Sequence, residues 1–290
     1  MSVVQGLWDS YEDDAFPRDK ERGVFLDKAK QHRLDHKGKH FSVAGPLALS
    51  RSQQGRPVIF QAGDSGEGRN LGARIAEGTF AAAADFDSGR NYYQDVKARA
   101  AALGRNPNEI VVLPGLFPII ADTDEEAQRI FAQREGELDL DKLLVQLGRA
   151  FNYHDFSRYA LDEPFPNLTG VTLNSYKGQA ERIIRIARDE KLTLRETAYR
   201  VRFGPKDFVG SPETIADEIE RWFVGRAADG FILRVTTPTD FALFRERVVP
   251  IVQQRGLFRT DYTGTTLRDH LGLPVPQNRH SIAPVAIAAE

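Results

Sequence analysis

Apolar and polar positions along this chain repeat with two periods. Short apolar runs bounded by turn residues predict buried strands, and apolar residues three to four apart predict amphipathic helices. Residues 58–62 form the first such run, enclosed by Gly55, Pro57 and Gly63. Residues 67–76 read as a helix with Leu71 and Ile75 on one face. Residues 79–83 predict a second strand, and residues 92–103 an alanine-rich helix closed by Gly104. A third strand begins at 110–113 and continues irregularly past Gly115. Thr123 and Glu126 read as a capping box in which each side chain takes an orphan amide, opening a long helix. Residues 147–176 are irregular and aromatic, and 178–190 are helical with Ile183, Ile184 and Ala187 inward. Ser211, Pro212 and Glu213 make a helix start, followed by the stripe Ile215, Ile219 and Trp222. Residues 231–235 predict a fourth strand and 241–254 a last helix.

Strand-then-helix units in series predict an α/β protein with a parallel sheet and right-handed crossovers. Both the doubly wound sheet and the (β/α) barrel place their sites at the carboxyl ends of such strands. The N-terminal region is less regular. Residues 2–8 read as the end of an amphipathic helix, 27–43 as a polar loop, and Asp9, Glu12, Asp13 and Asp14 as a solvated acidic run or, alternatively, a cation site. We expect one domain over 1–274 and a frayed tail over 275–290.

Composition narrows the chemistry. The chain has no cysteine, which excludes disulfides, thiolate metal sites and a thiol nucleophile. A formal net charge of −2 points neither to nucleic acid nor to an anionic membrane. The N-terminus has no basic residue before Arg18 and no long apolar run, so it does not read as a signal peptide, and the apolar stretch 110–121 is too short to span a bilayer. A cytoplasmic protein is expected.

The most informative stretch is FQAGDSGEGRN, residues 60–70, where an apolar run enters a glycine-rich turn at the mouth of a helix. Four readings stand. Gly63-Asp64-Ser65-Gly66 matches a serine-protease string, but in a βα setting without disulfides. A hydrolase elbow needs glycine at position 67, which is Glu67. An anion site fits a strand-to-helix turn with free backbone amides and a serine hydroxyl, and a phosphate suits it. The last reading is a tight turn with a serine cap. Neither a P-loop nor a dinucleotide fingerprint is present.

Residues 38–82 also resemble one branch of the luciferase-like flavin monooxygenases, the branch of nitrilotriacetate monooxygenase component A, dibenzothiophene-sulfone monooxygenase and long-chain alkane monooxygenase. The stretches LWDSYEDDAF, PNEIVVLPGLFPIIADTDEEA, VGSPETIADEIERWF and RGLFRTDYTGTTLRDHLGLP match in the same order, so the resemblance spans most of residues 7–274. It implies a TIM (β/α)8 barrel of which this chain carries strands five to eight. It implies that Ser65 contacts the phosphate of FMN, with Gly63, Asp64 and Gly66 forming the turn. It further implies reduced FMN delivered by a separate NADH:FMN oxidoreductase, dioxygen as co-substrate, a small organic substrate and a homo-oligomer. The family's N-terminal third, with strands one to four and its contacts to the flavin ring, has no counterpart here, so no catalytic residue is named.

Arg234 stands where the resemblance leads one to expect an apolar residue. It reads either as a contact for a phosphate or acidic substrate, or as an ion pair with a neighbouring carboxylate. The six histidines, His40 and His154 among them, show no metal-ligand spacing and read as surface or packing residues, and Trp8 and Trp222 read as core. Two rivals remain: a deazaflavin-dependent reductase on the same fold, and a half-barrel without catalysis of its own.

Overall fold

The computed structural model describes residues 1–168, 177–201, 206–235 and 237–281. The chain forms two compact units, one of residues 1–59 with 262–290 and one of residues 60–261.

The first unit opens with helix α1 (Ser2–Trp8) and a short antiparallel pair, β1 (His36–Lys37) with β2 (Ser42–Val43). This pair lies inside the stretch expected to be loop, where two-residue strands leave no periodic signal. The acidic run is only partly solvated. Asp9 is buried and accepts from Arg51 and Arg279, Glu12 meets His32 at 2.8 Å, and Asp14 pairs with Lys30. Arg51 also reaches Asp13, so these carboxylates are counter-ions within the unit. Trp8 is half-buried rather than fully enclosed.

The second unit holds the site. Its elements are β3 (Phe60–Ala62), α2 (Gly66–Ile75), β4 (Gly78–Ala81), α3 (Phe86–Ala102), β5 (Val111–Leu116), β6 (Ile119–Ile120), α4 (Asp124–Gly136), α5 (Leu140–Ala150), α6 (Lys177–Asp189), α7 (Leu194–Arg200), β7 (Val209–Gly210), α8 (Pro212–Val224), β8 (Ile232–Leu233), α9 (Pro238–Leu243) and α10 (Val249–Gln254), the last two joined by a π-helical segment at Phe244–Val248. The chain then returns to the first unit through α11 (Leu267–His270), whose Arg268 is buried and donates to the carbonyls of Arg56 and Pro274. Of the tail expected beyond 274, Asn278 is buried and donates to Tyr11 O at 2.7 Å. Residues 282–290 lie outside the described residues.

Strands β3, β4, β5 and β8 form a four-stranded parallel sheet in that order, and β6 pairs with β7, also parallel. The expected α/β fold with a parallel sheet is therefore present. Register separates two faces, because paired residues in a parallel ladder point the same way. Gln61, Thr79 and Val112 share one face with Ala81, Pro114 and Leu116. Helices cover this face, through Ala73, Tyr92, Val96 and Ala100 at one end and Ile215, Trp222 and Val248 at the other. The opposite face carries Phe60, Ala62, Phe80, Leu113 and Ile232; Phe60 and Ala62 are exposed and the others half-buried.

Several local expectations shift. Helix α3 begins at Phe86, six residues before the predicted start, because Asp85 and Ser88 form a reciprocal capping box that overrides the turn-like residues after them. Thr123 accepts from Glu126 N as predicted, but the Glu126 carboxylate turns to Arg129 instead of reaching back. The long helix breaks at Gly136, and Asp139 caps a separate α5. Leu71 is exposed, and α2 instead buries Gly72 and Ala73. The aromatic region after α5 packs Phe151 and Phe156 with α5, α6 and α7 into a core of its own; residues 169–176 lie outside the described residues.

Trp222 is fully buried, with Phe86, Phe208 and Phe231 around it at ring separations of 6.0, 5.5 and 6.1 Å. We expect Trp222→Ala to cost about 3–5 kcal/mol, the usual range for a buried aromatic. Denaturant unfolding measures this; a loss under about 1 kcal/mol contradicts the described core.

Candidate phosphate-binding turn

The turn at residues 63–66 connects β3 to α2. Ser65 is the N-cap, with extended backbone, and its Oγ accepts from Gly68 N at 3.1 Å. That bond uses the hydroxyl as acceptor and leaves its proton to donate. Glu67 in the first turn and Arg74 in the last suit the helix dipole.

Glycine is required here by close approach. A Cβ on Gly68 would lie 3.0, 3.1 and 3.2 Å from the backbone C, Cα and O of Gly63. Backbone cannot swing aside as a side chain can, so the two strands of the turn pass each other only because residue 68 is bare. A Cβ on Gly66 meets nothing within 4 Å, so the turn has open space there. The N-terminal end of α6 closes in from another side: a Cβ on Gly178 would lie 2.6 Å from Ser65 N.

Charge around the turn is arranged in layers. Arg69 donates to Asp64 Oδ1 at 2.6 Å and to the Asp64 carbonyl at 3.1 Å, reaches Asp95 on α3 at 2.9 Å, and lies 4.8 Å over the Tyr92 ring. Burial pushes the Asp95 carboxyl up, but the hydrogen bonds from Arg99 and Arg69 outweigh it and hold its pKa below the usual carboxylate value. The Asp64 carboxylate is therefore committed to Arg69, and Asp64 presents backbone to the turn.

Arg182 lies four residues beyond Gly178, one turn along the same face of α6. Its Nε is fully enclosed and has no hydrogen-bond partner. Burial lowers its pKa, Asp64 opposes that, and Arg185 and Arg200 add to it. An arginine stays charged even so, and an enclosed donor of this kind is met by a water or by an anion. Sequence reasoning missed Gly178, Arg182 and Arg69. Arg69 had a local signal, five residues from Asp64. Nothing in the sequence indicates that residue 178 meets residue 65.

The remaining candidates separate from this turn. Arg234 is exposed beyond the end of β8, over the Phe117 ring at 4.4 Å, and no carboxylate among the described residues pairs with it. The ion pair considered as an alternative is thus not formed there. His40 is exposed, and His154 Nε2 shares a hydrogen bond with Tyr159 OH at 2.9 Å within the aromatic core. Among the described residues no three His, Asp or Glu side chains are grouped to hold a metal, and no helix is long and apolar enough to cross a membrane.

Gly178→Ala forces α6 away from Ser65, and overpacking of this kind costs about 1–3 kcal/mol. Thermal or denaturant unfolding of the variant checks this; wild-type stability contradicts the contact.

Comparisons with known proteins bear on the chain as a whole. The chain is 44% identical over 285 residues to the N-acetyl-S-(2-succino)cysteine monooxygenase of Bacillus subtilis (strain 168), covering 97% of this chain and 64% of that protein. It is 41% identical over 284 residues to nitrilotriacetate monooxygenase component A of Aminobacter aminovorans, covering 96% and 62%. A riboflavin lyase solved with modified FMN and its substrate riboflavin superposes with a TM-score of 0.79 at 32% identity, covering 97% of this chain and 62% of that one. The chain thus spans less than two thirds of the length of these relatives. The sequence pattern of the family described as Luciferase-like monooxygenase matches residues 3–230, and with these identities the chain belongs to that family.

Proposed function

We propose that this chain carries the phosphate-binding turn of an FMN-dependent monooxygenase, with its four-stranded sheet forming strands five to eight of a TIM barrel. The observation that carries the reading is the junction of the Ser65 turn with α6: a capping serine with a free hydroxyl proton, open space at Gly66, and an enclosed, unpartnered Arg182 Nε one helical turn from the contact. These features suit a phosphate, whose oxygens accept from hydroxyl, guanidinium and backbone amides alike. Ser65 and Gly66 hold it, Gly63 permits the approach, and Asp64 contributes backbone only, since its carboxylate answers Arg69.

FMN, when bound, supplies the redox chemistry that activates dioxygen. The chain's own part is to fix the phosphate and to present an apolar surface that keeps water from the reacting groups, a role for which Phe60, Phe80 and Leu113 on the open sheet face are suited. The names of the two monooxygenase relatives support oxidation of a small organic substrate, and the designation component A supports a two-component system in which a separate NADH:FMN oxidoreductase delivers reduced FMN. A cytoplasmic homo-oligomer remains part of this proposal.

Titration of FMN and of reduced FMN against the wild type and Ser65→Ala tests it. Loss of one hydrogen bond to the charged phosphate costs about 1.5–3 kcal/mol, about ten-fold or more in Kd. Equal affinity for both proteins removes Ser65 from the site.

A further inference from the structure

The open face of the four-stranded sheet combines an apolar lining with a charged residue at its carboxyl end. Phe80 pairs with Leu113 and Gly115 with Ile232 on this face, and Arg234, two residues past Ile232, continues it. None of the strand residues of this sheet is charged. A Cβ on Gly115 would lie 3.5 Å from the Phe117 ring, 3.6 Å from the Phe80 ring and 3.7 Å from Arg234 Cδ, so these three side chains surround one bare position in the sheet.

The guanidinium of Arg234 lies over Phe117 at 4.4 Å. An exposed cation–π contact of this kind orients the group without neutralising it. Arg234 is exposed and forms no ion pair with a carboxylate among the described residues, so no carboxylate there occupies its donors. Arg234 is not a second ligand for a phosphate at Ser65. Strands β3 and β8 are the first and fourth in the sheet, and three inter-strand spacings of roughly 4.8 Å place their ends roughly 14 Å apart along it.

We propose that Arg234 receives a carboxylate of the organic substrate, and that the substrate class is therefore an organic acid. Its apolar body lies against Phe80 and Phe117 over Gly115, and its anionic end meets the guanidinium fork, whose planar geometry matches a carboxylate. A mostly apolar face with one placed cation orients such a ligand end-on. The reaction performed on this acid rests on the monooxygenase reading above; its binding does not.

The test is calorimetric titration of the whole chain with succinate and with its neutral dimethyl ester, on wild type, Arg234→Met and Arg234→Lys, with FMN titrated into the same preparations. Succinate is expected to bind wild type, to bind Arg234→Met about ten-fold or more weakly, and to recover in part with Arg234→Lys. The dimethyl ester is expected not to distinguish the three proteins, and FMN to bind all three alike. Equal succinate affinity for wild type and Arg234→Met, or no succinate binding by wild type, overturns the proposal. A preparation that binds succinate through Arg234 but not FMN removes the flavin reading alone.

Discussion

The larger unit depends on one close passage of backbone past backbone. Where β3 turns into α2, Gly68 comes so near Gly63 that a single added carbon would lie within 3.2 Å of three of its backbone atoms. That passage sets where α2 begins and where Ser65 sits as its cap. It also fixes the surface against which α6 rests, because Gly178 in turn has no room for a side chain beside Ser65 N. Three bare positions thus bring a strand end, two helices and a serine hydroxyl together, while Gly66 remains open. A turn built only to reverse the chain does not need a second helix brought to within contact of its cap.

Electrostatics around the passage divides into a satisfied part and an unsatisfied part. Arg69 binds Asp64 and Asp95 and so ties the turn to α3. Arg182 keeps an enclosed Nε without a partner. Leaving such a donor unpaired costs about 1–3 kcal/mol or more when it belongs to a charged group, a cost that a water or an anion at Nε would offset. On the sheet itself the asymmetry is one of faces. Helices bury Thr79, Val112 and Leu116, whereas Phe60 stays 46% exposed on the other side. The apolar lining and Arg234 lie on that open side, at the strand ends where α/β proteins place their ligands.

Much of this was legible beforehand, and the parts that were not share a physical reason. The strand-then-helix alternation, the parallel sheet and the Ser65 and Ser211 caps follow from local periodicity and from residue types that satisfy orphan amides, whereas the order of the strands in the sheet does not. The start of α3 was misplaced because Asp85 and Ser88 cap it ahead of residues that look like a turn. The burial of α2 through Gly72 and Ala73, with Leu71 outside, reflects a helix packed so closely on the sheet that small residues face inward. The turn was visible as glycines and a serine, but its neighbours Gly178 and Arg182 are more than a hundred positions away and enter only through tertiary contact. Arg234 stood out by charge alone; its seat over Phe117 needed the fold.

The central claim is that the turn at Ser65 holds a phosphate. Comparing the affinities of FMN and riboflavin for the wild-type protein tests this most directly, because the two ligands differ only in that group. The account predicts that FMN binds about ten-fold or more tightly than riboflavin, with the difference shrinking at high salt as a charged contact requires. Equal affinities for the two, unaffected by salt, contradict it.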